Sequence, residues 1–281
     1  MNLTNIEEVK RLLDRHGFRF SKSMGQNFLV ASWVPEDIAA SAGLDENTGV
    51  LEIGPGIGCL TNELAQRAGK VVSVELDKSL KKVLAETLVG HENVSIVFGD
   101  ILRQDLEALV AEHFDGLRPV VCANLPYNVT SPVLTKLINS GLFDSITVMV
   151  QREVAKRMCA APNTADYGAF SVFVQWHCEA ELLFDVPAGC FIPQPKVTSS
   201  VIRLRRRQEP VAAVKDEARM FSVVRAAFNQ RRKTLVNALS SQLSLDKAKV
   251  EQTLLNCGFD TKIRGEVLNL TDFCVISDKL F

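Results

Sequence analysis

Val50-Leu51-Glu52-Ile53-Gly54-Pro55-Gly56-Ile57-Gly58 decides how the rest of this 281-residue chain is read. Its first four residues make a short, mostly apolar strand, and glycines at alternate positions turn the chain into a helix spanning Leu60 to Ala68. Glycine in such a turn lets the backbone approach a ligand closely, and the helix adds the positive end of its dipole. Outward from this unit, strands and helices alternate. Val71–Glu75, Val94–Phe98, Val120–Ala123 and Ser145–Val150 are short apolar runs. The helices between them include Lys78–Leu88 and one with Ser131 as cap, Pro132 at its first position and Gly141 past its end. Strands this uniformly apolar, joined through helices, predict a parallel sheet covered on both faces. Phe170–Trp176 and Val197–Leu204 read as longer strands, an antiparallel pair completing the sheet. Ahead of it, Ile6, Val9, Leu12 and Leu13 fall at helical spacing, a loop runs from Ser21 to Leu29, and a second helix starts at Ser32. Past Arg207 only helical patterns remain (Met220–Leu239, Leu245–Leu255, Thr271–Leu280), which places a domain boundary near residue 208. The expected domains are 1–208 and 209–281.

Acids punctuate the same sheet edge. Glu75 ends the second strand, where it can accept hydrogen bonds from ribose hydroxyls, and Asp100, after Gly99, ends the third, where it can meet an adenine amine. Open α/β sheets bind ligands at this edge. A dinucleotide-binding turn of the GxGxxG form requires glycine at position 59, which is Cys59 here. The GxGxG form preceded by an acid, Glu52, fits S-adenosylmethionine, which has no pyrophosphate, better than a nicotinamide dinucleotide.

Seven cysteines lie scattered at 59, 122, 159, 178, 190, 257 and 274 with no CxxC pair. They read as free thiols in a reducing cytoplasm, with no metal site. No apolar run approaches the roughly 20 residues of a membrane helix, and Met1 to Lys10 does not have the pattern of a signal peptide. Net charge is −1, but from Arg203 to Lys233 ten basic residues face three acidic ones, a local +7. Lys10, Arg11, Arg15, Arg19 and Lys22 form a second basic stretch against Asp14 alone. Such asymmetry is a footprint of nucleic-acid or membrane binding, or else of two solvated helix faces.

Asn124-Leu125-Pro126-Tyr127 ends the fourth strand. Adenine N6 is a poor nucleophile because its lone pair is delocalised into the ring. Two neutral carbonyls aimed at its N–H bonds, from the Asn124 side chain and the backbone of Leu125 or Pro126, favour a pyramidal nitrogen and stabilise the positive charge that develops on it. Pro126 stiffens the turn, and Tyr127 can stack on an extruded base. As a plain strand-to-helix turn, the tetrapeptide leaves unexplained its place on the same edge as the glycine motif.

These motifs, with Gly25-Gln26-Asn27-Phe28-Leu29, Val74-Glu75-Leu76-Asp77, Gln151-Arg152-Glu153-Val154-Ala155, Tyr167-Gly168, Phe191-Ile192-Pro193-Gln194-Pro195-Lys196-Val197 and Phe228-Asn229-Gln230-Arg231-Arg232-Lys233, resemble the ribosomal RNA adenine dimethyltransferase family over nearly the whole chain. The resemblance implies a class I S-adenosylmethionine-dependent methyltransferase fold, Rossmann-like with a mostly parallel seven-stranded sheet, plus a small all-helical C-terminal RNA-binding domain. It implies that Asn27, Leu29, Gly54, Gly56, Glu75, Asp100 and Asn124 contact S-adenosylmethionine, and that Tyr127 and Phe191 sandwich the target adenine. Asn124, Pro126, Tyr127 and Phe191 are then the catalytic candidates. The expected substrate is two adjacent adenines near the 3′ end of small-subunit rRNA, within a pre-30S particle, and the enzyme is expected to be a cytoplasmic monomer. Lys22, Arg152, Lys196, Arg231, Arg232 and Lys233 are the candidates for phosphate contacts, and Arg203 to Arg207 are read the same way. Pro193 and Pro195 place Phe191 in an exposed, rigid loop. One departure is Arg264-Gly265-Glu266, where the family more often has alanine in the middle. Rival readings are a resistance methyltransferase acting on large-subunit RNA and a ribosome-assembly factor without turnover. Pyrimidine C5 methylation usually relies on a Pro-Cys pair, and none of the cysteines follows proline.

Overall fold

The computed structural model describes residues 1–20 and 26–281; Lys22 and Gly25 lie outside the described residues. The elements in chain order are α1 (Ile6–Arg15), β1 (Phe28–Leu29), α2 (Trp33–Ser41), β2 (Thr48–Ile53), α3 (Cys59–Ala65), β3 (Lys70–Glu75), α4 (Lys81–Thr87), β4 (Val94–Phe98), α5 (Leu106–His113), β5 (Arg118–Asn124), α6 (Thr130–Ser140), β6 (Ser145–Gln151) and α7 (Arg152–Met158). They continue with α8 (Ala169–His177), β7 (Cys178–Val186), β8 (Phe191–Ile192), β9 (Ser199–Arg206), α9 (Glu217–Asn229), α10 (Leu235–Leu243), α11 (Lys247–Asn256) and α12 (Leu270–Leu280). Helix starts are fixed by side chains that accept from otherwise orphaned amides: Asn5 for α1, Asp105 for α5, Asp216 for α9, Thr234 for α10, Asp246 for α11 and Asn269 for α12.

The main sheet has seven strands in the order β4-β3-β2-β5-β6-β9-β7. The five from β4 to β6 run parallel, and β9 is antiparallel to β6, from Ser145 opposite Arg205 to Gln151 opposite Ser199. Every residue of β2 is buried. From β2 the chain builds outward to β3 and β4 on one side and to β5 and β6 on the other, so the order reverses between β2 and β5. That reversal opens a crevice at the carboxyl ends of the two strands. A separate two-stranded sheet pairs β1 with β8, Leu29 opposite Phe191.

The chain divides into two compact units, Met1–Ala155 with Glu181–Arg206, and Lys156–Ala180 with Arg207–Phe281. The first holds the sheet. The second has its own core around Tyr167, Val224, Leu239, Leu254 and Phe273, and the buried Tyr167 hydroxyl donates to the Leu268 carbonyl at 2.9 Å. Among the described residues no helix is long and apolar enough to cross a membrane.

Two elements depart from the pattern-based reading. Phe170–Trp176 is not a strand but most of α8. A continuous run of aromatic and β-branched residues has no period that separates strand from buried helix, and the start signal is small: the Gly168 amide donates to Ser171 Oγ at 3.0 Å. The strand beside β9 is instead β7, whose half-exposed edge carries Glu179, Glu181 and Asp185. Met220–Leu239 is also broken, because Thr234 caps a new helix, α10, and leaves Arg231-Arg232-Lys233 in the turn before it.

Candidate active site

The ends of β4, β3, β2 and β5 stand side by side in the sheet, so Asp100, Glu75, the Gly54–Gly58 turn and Asn124–Tyr127 meet along one edge. They line one cavity of about 170 Å³, with Gln26, Asn27, Phe28 and Leu29 of the N-terminal arm closing a side. Of the residues named from sequence, Asn27, Leu29, Gly54, Gly56, Glu75, Asp100, Asn124, Pro126 and Tyr127 are thereby brought together.

Gly56 shows why the turn needs glycine. Its φ is +59°, and a Cβ there would sit 3.1 Å from the Phe28 ring. Its amide donates to Glu75 Oε2 at 3.3 Å, while Glu75 Oε1 accepts from the Asp77 amide at 2.7 Å. Glu75 is 6% exposed, and burial raises its pKa against the lowering effect of these two amides. With two amides on four lone-pair sites, the carboxylate keeps acceptor capacity for hydroxyl groups. Asp100 caps the following turn through the Leu102 amide at 2.9 Å, so it serves as both cap and cavity wall.

On the β5 side the chemistry is neutral. The Leu125 amide donates to the Met149 carbonyl at 3.1 Å, anchoring the tetrapeptide to β6. The Pro126 carbonyl is committed to the start of α6, accepting from the Val129 amide and from Thr130 Oγ1, each at 3.2 Å. Among the described residues no hydrogen bond engages the Asn124 carboxamide or the Leu125 carbonyl. Of the two backbone carbonyls read from sequence, Leu125 is therefore the available one. Tyr127 Oη lies 2.6 Å from Ser199 Oγ of β9, which fixes its ring; burial raises the phenol pKa.

Phe191 departs from its expected exposure. It is 4% exposed, belongs to the core, and does not line the cavity. Pairing with Leu29 in the β1–β8 ribbon turns it inward, and its apolar side chain follows burial rather than the exposure of Pro193. Several basic candidates also have internal partners. Arg152 Nε lies 3.2 Å from Asp185. Arg231 donates to the carbonyls of Ala165 (3.1 Å) and Tyr167 (2.9 Å). In the Arg203–Arg207 run, Arg203 pairs with Glu181 at 2.6 Å, Arg206 donates to the Gly141 carbonyl, and Arg207 pairs with Glu179 at 3.1 Å. Lys196, Arg232 and Lys233 are exposed.

Sequence reasoning read Glu52 only as the acid before the glycine turn and did not single out Leu76, Ile101 or Ser199. Glu52 lines the cavity yet is 1% exposed, its Oε2 accepting from Thr61 Oγ1 (2.7 Å) and Ser73 Oγ (2.6 Å). Burial pushes its pKa up to about 7, against these hydroxyls and with help from Glu75. Leu76, 56% exposed, and Ile101 add apolar walls beside Glu75 and Asp100; an exposed leucine directly after a strand-ending acid was the available signal. Ser199 had none, since its contact is tertiary.

A family model described as ribosomal RNA adenine dimethylase matches residues 17–273. A relative from Anoxybacillus flavithermus, ribosomal RNA small subunit methyltransferase A, is 47% identical over 278 residues, covering 97% of this chain and 94% of its own length. Among solved structures, the 23S rRNA methyltransferase ErmE superposes with a TM-score of 0.68 at 29% identity, covering 90% of this chain and 99% of that one. A dimethyladenosine transferase from Plasmodium falciparum superposes with a TM-score of 0.74 at 23% identity, over 88% of this chain and 95% of that one, a likeness of fold.

Proposed function

This chain belongs to the ribosomal RNA adenine dimethylase family, and from that premise we propose that it transfers methyl groups from S-adenosylmethionine to N6 of two adjacent adenines near the 3′ end of small-subunit rRNA, acting in the cytoplasm on a pre-30S particle. The observation that carries this reading is the uncommitted Asn124 carboxamide in a cavity shared with a glycine turn and two strand-ending acids. The cavity suits the donor: Gly54 and Gly56 leave backbone room, Glu75 and Asp100 offer acceptors for ribose and adenine groups, Leu76 and Ile101 offer apolar walls, and Asn27 and Leu29 close the arm side. The bound donor supplies an electrophilic methyl group on a sulfonium.

The chain's own residues prepare the acceptor. Asn124 Oδ1 and the Leu125 carbonyl accept the two N6–H bonds of an extruded adenine and orient its lone pair. Both are fixed dipoles, so they stabilise positive charge arriving on nitrogen without reorganising. Asn124 takes no proton; the nitrogen becomes strongly acidic only once methylated and then loses its proton to solvent. Tyr127, held by Ser199, stacks on the base. Phe191 acts from beneath, bracing Leu29 through the β1–β8 pairing. Lys196, Arg232 and Lys233, exposed as they are, meet phosphates.

The small-subunit assignment draws on the name of the 47%-identical relative; the large-subunit enzyme is similar at 29%. Transfer of labelled methyl groups to unmethylated small subunits, with mass mapping of the RNA, tests it. Label in two neighbouring dimethyladenosines of the small subunit is the expected result. Label only in large subunits, or in neither, overturns the assignment.

A further inference from the structure

The arm segment at residues 26–29 is fastened at both ends. At one end β1 pairs with β8, and the Val30 amide donates to the Cys190 carbonyl at 2.8 Å. At the other, Gln26 Nε2 donates to Asp77 Oδ2 at 2.7 Å across 51 positions of sequence. Gln26 lines the cavity and Asp77 does not. Asp77 is only 9% exposed, and the chain itself engages both its oxygens: Oδ1 accepts from the Ser79 amide (2.9 Å) and hydroxyl (2.6 Å). The Asp77 amide in turn holds Glu75 Oε1 at 2.7 Å, and Glu75 Oε2 accepts from the Gly56 amide. A nearly buried carboxylate thus ties the arm to the acid at the end of β3 and, through it, to the glycine turn. Its bond to Gln26 is charge-assisted, the stronger class of hydrogen bond.

We propose that Gln26 and Asp77 form a clasp that holds Asn27 against the methyl-donor cavity, as positioning residues that set donor affinity without touching the methyl transfer. This presupposes that the cavity is the donor site. Loss of the clasp unties Gln26 from the end of β3 and leaves Phe28 and Leu29 in the ribbon with β8. Donor binding weakens, and turnover at saturating donor stays the same.

Charge rescue tests it. Gln26→Glu sets two carboxylates face to face. Asp77→Asn presents an amide to which Gln26 offers its carbonyl after turning over, and Ser79 keeps its acceptor. The double variant pairs the introduced amide with the introduced carboxylate. Titrations use S-adenosylmethionine and, in parallel, S-adenosylhomocysteine, whose uncharged sulfur removes any direct attraction to the new carboxylate. Gln26→Glu is expected to weaken both ligands on the order of tenfold, as loss of one charge-assisted bond implies. Asp77→Asn and the double variant should bind within about threefold of the wild type, the double cycle isolating the pair. Turnover on RNA at saturating donor should stay within about twofold throughout, well under the tenfold step of one such bond. If Gln26→Glu lowers the thermal midpoint, Gln26→Ala replaces it, with the same expected weakening. Wild-type affinity in both of these variants, failure of the double variant to recover, or a loss confined to turnover overturns the clasp. A wild-type protein that binds neither ligand overturns the donor-site reading and the clasp with it.

Discussion

Replacing Glu52 by glutamine separates a buried charge from the shape that holds it. Glu52 is 1% exposed, and its Oε2 accepts from Thr61 and Ser73. Two hydroxyls do not offset the loss of water, so its pKa rises from 4.5 to about 7. Between those values the folded protein holds a proton on Glu52 that the unfolded chain has released. This contribution to stability is therefore complete below pH 4.5, falls as pH rises through the window, and levels off above pH 7. At about 1.36 kcal/mol per pH unit, the interval amounts to roughly 3 kcal/mol. Glutamine keeps the volume and can accept from one hydroxyl while donating to the other, and it never ionises. Urea unfolding of both proteins, followed by far-UV circular dichroism from pH 4.5 to 8, should show the variant gaining on the wild type by roughly 3 kcal/mol. Glu75 titrates in the same direction but is present in both proteins, so the difference isolates Glu52. Parallel stability curves would refute a buried, protonatable Glu52.

Asn124→Ala should lower single-turnover methylation on the order of 10²-fold or more, as for loss of one preorganised polar group; near-normal methylation removes Asn124 from the mechanism. Gly56→Ala forces a side chain to φ +59° with the Phe28 ring 3.1 Å away, so calorimetric donor affinity should fall by about tenfold, the equivalent of a 1–2 kcal/mol left-handed strain. Gly265→Ala places a Cβ 2.6 Å from that of Ala227. Thermal unfolding should show a loss of about 1–3 kcal/mol, largely recovered by adding Ala227→Gly. Arg231→Ala should destabilise the second unit, since two carbonyls lose their donor. Arg232→Ala and Lys233→Ala should instead leave the melting midpoint unchanged and each reduce the salt dependence of RNA affinity by about one counterion.

How far the sequence reaches depends on whether a signal is local. The glycine turn, Glu75, Asp100 and Asn124–Tyr127 were legible because each ends an apolar strand, and parallel strands bring all their carboxyl ends to one edge. α8 was not, because Phe170, Val172, Phe173, Val174 and Trp176 suit a strand as well as a helix buried in its own core. β7 escaped notice for the opposite reason: an edge strand carries acids on its open side and loses the apolar run that marks its central neighbours. The basic stretches were only partly legible because charge is visible in sequence and its partners are not. Glu181 and Glu179 take up Arg203 and Arg207, Glu86 pairs with both Arg15 and His16, and two carbonyls hold Arg231. The local +7 shrinks to a few available cations.

The site is asymmetric, and the asymmetry follows the direction of charge flow. Acidic side chains gather at the ends of β2, β3 and β4, where Glu52, Glu75 and Asp100 line the side of the cavity proposed for the donor, while the end of β5 presents only an amide, a carbonyl and a phenol hydrogen-bonded to Ser199. In the proposed reaction positive charge leaves the first side for the second as the methyl group moves. A carboxylate beside the accepting nitrogen would stabilise that charge more strongly, but it would also stay hydrated or bind a cation before reaction, stabilising the ground state as well. Neutral dipoles held by Met149 and the start of α6 need no such compensation, and what they stabilise is the change in charge itself. Asn124→Asp is the discriminating substitution: nearly the same size, the same acceptor position, one added charge. If fixed neutral acceptors matter, its turnover should fall with that of Asn124→Ala across pH 6–9. Recovery of activity as the introduced carboxylate ionises would mean that charge, not preorganised geometry, was the missing ingredient.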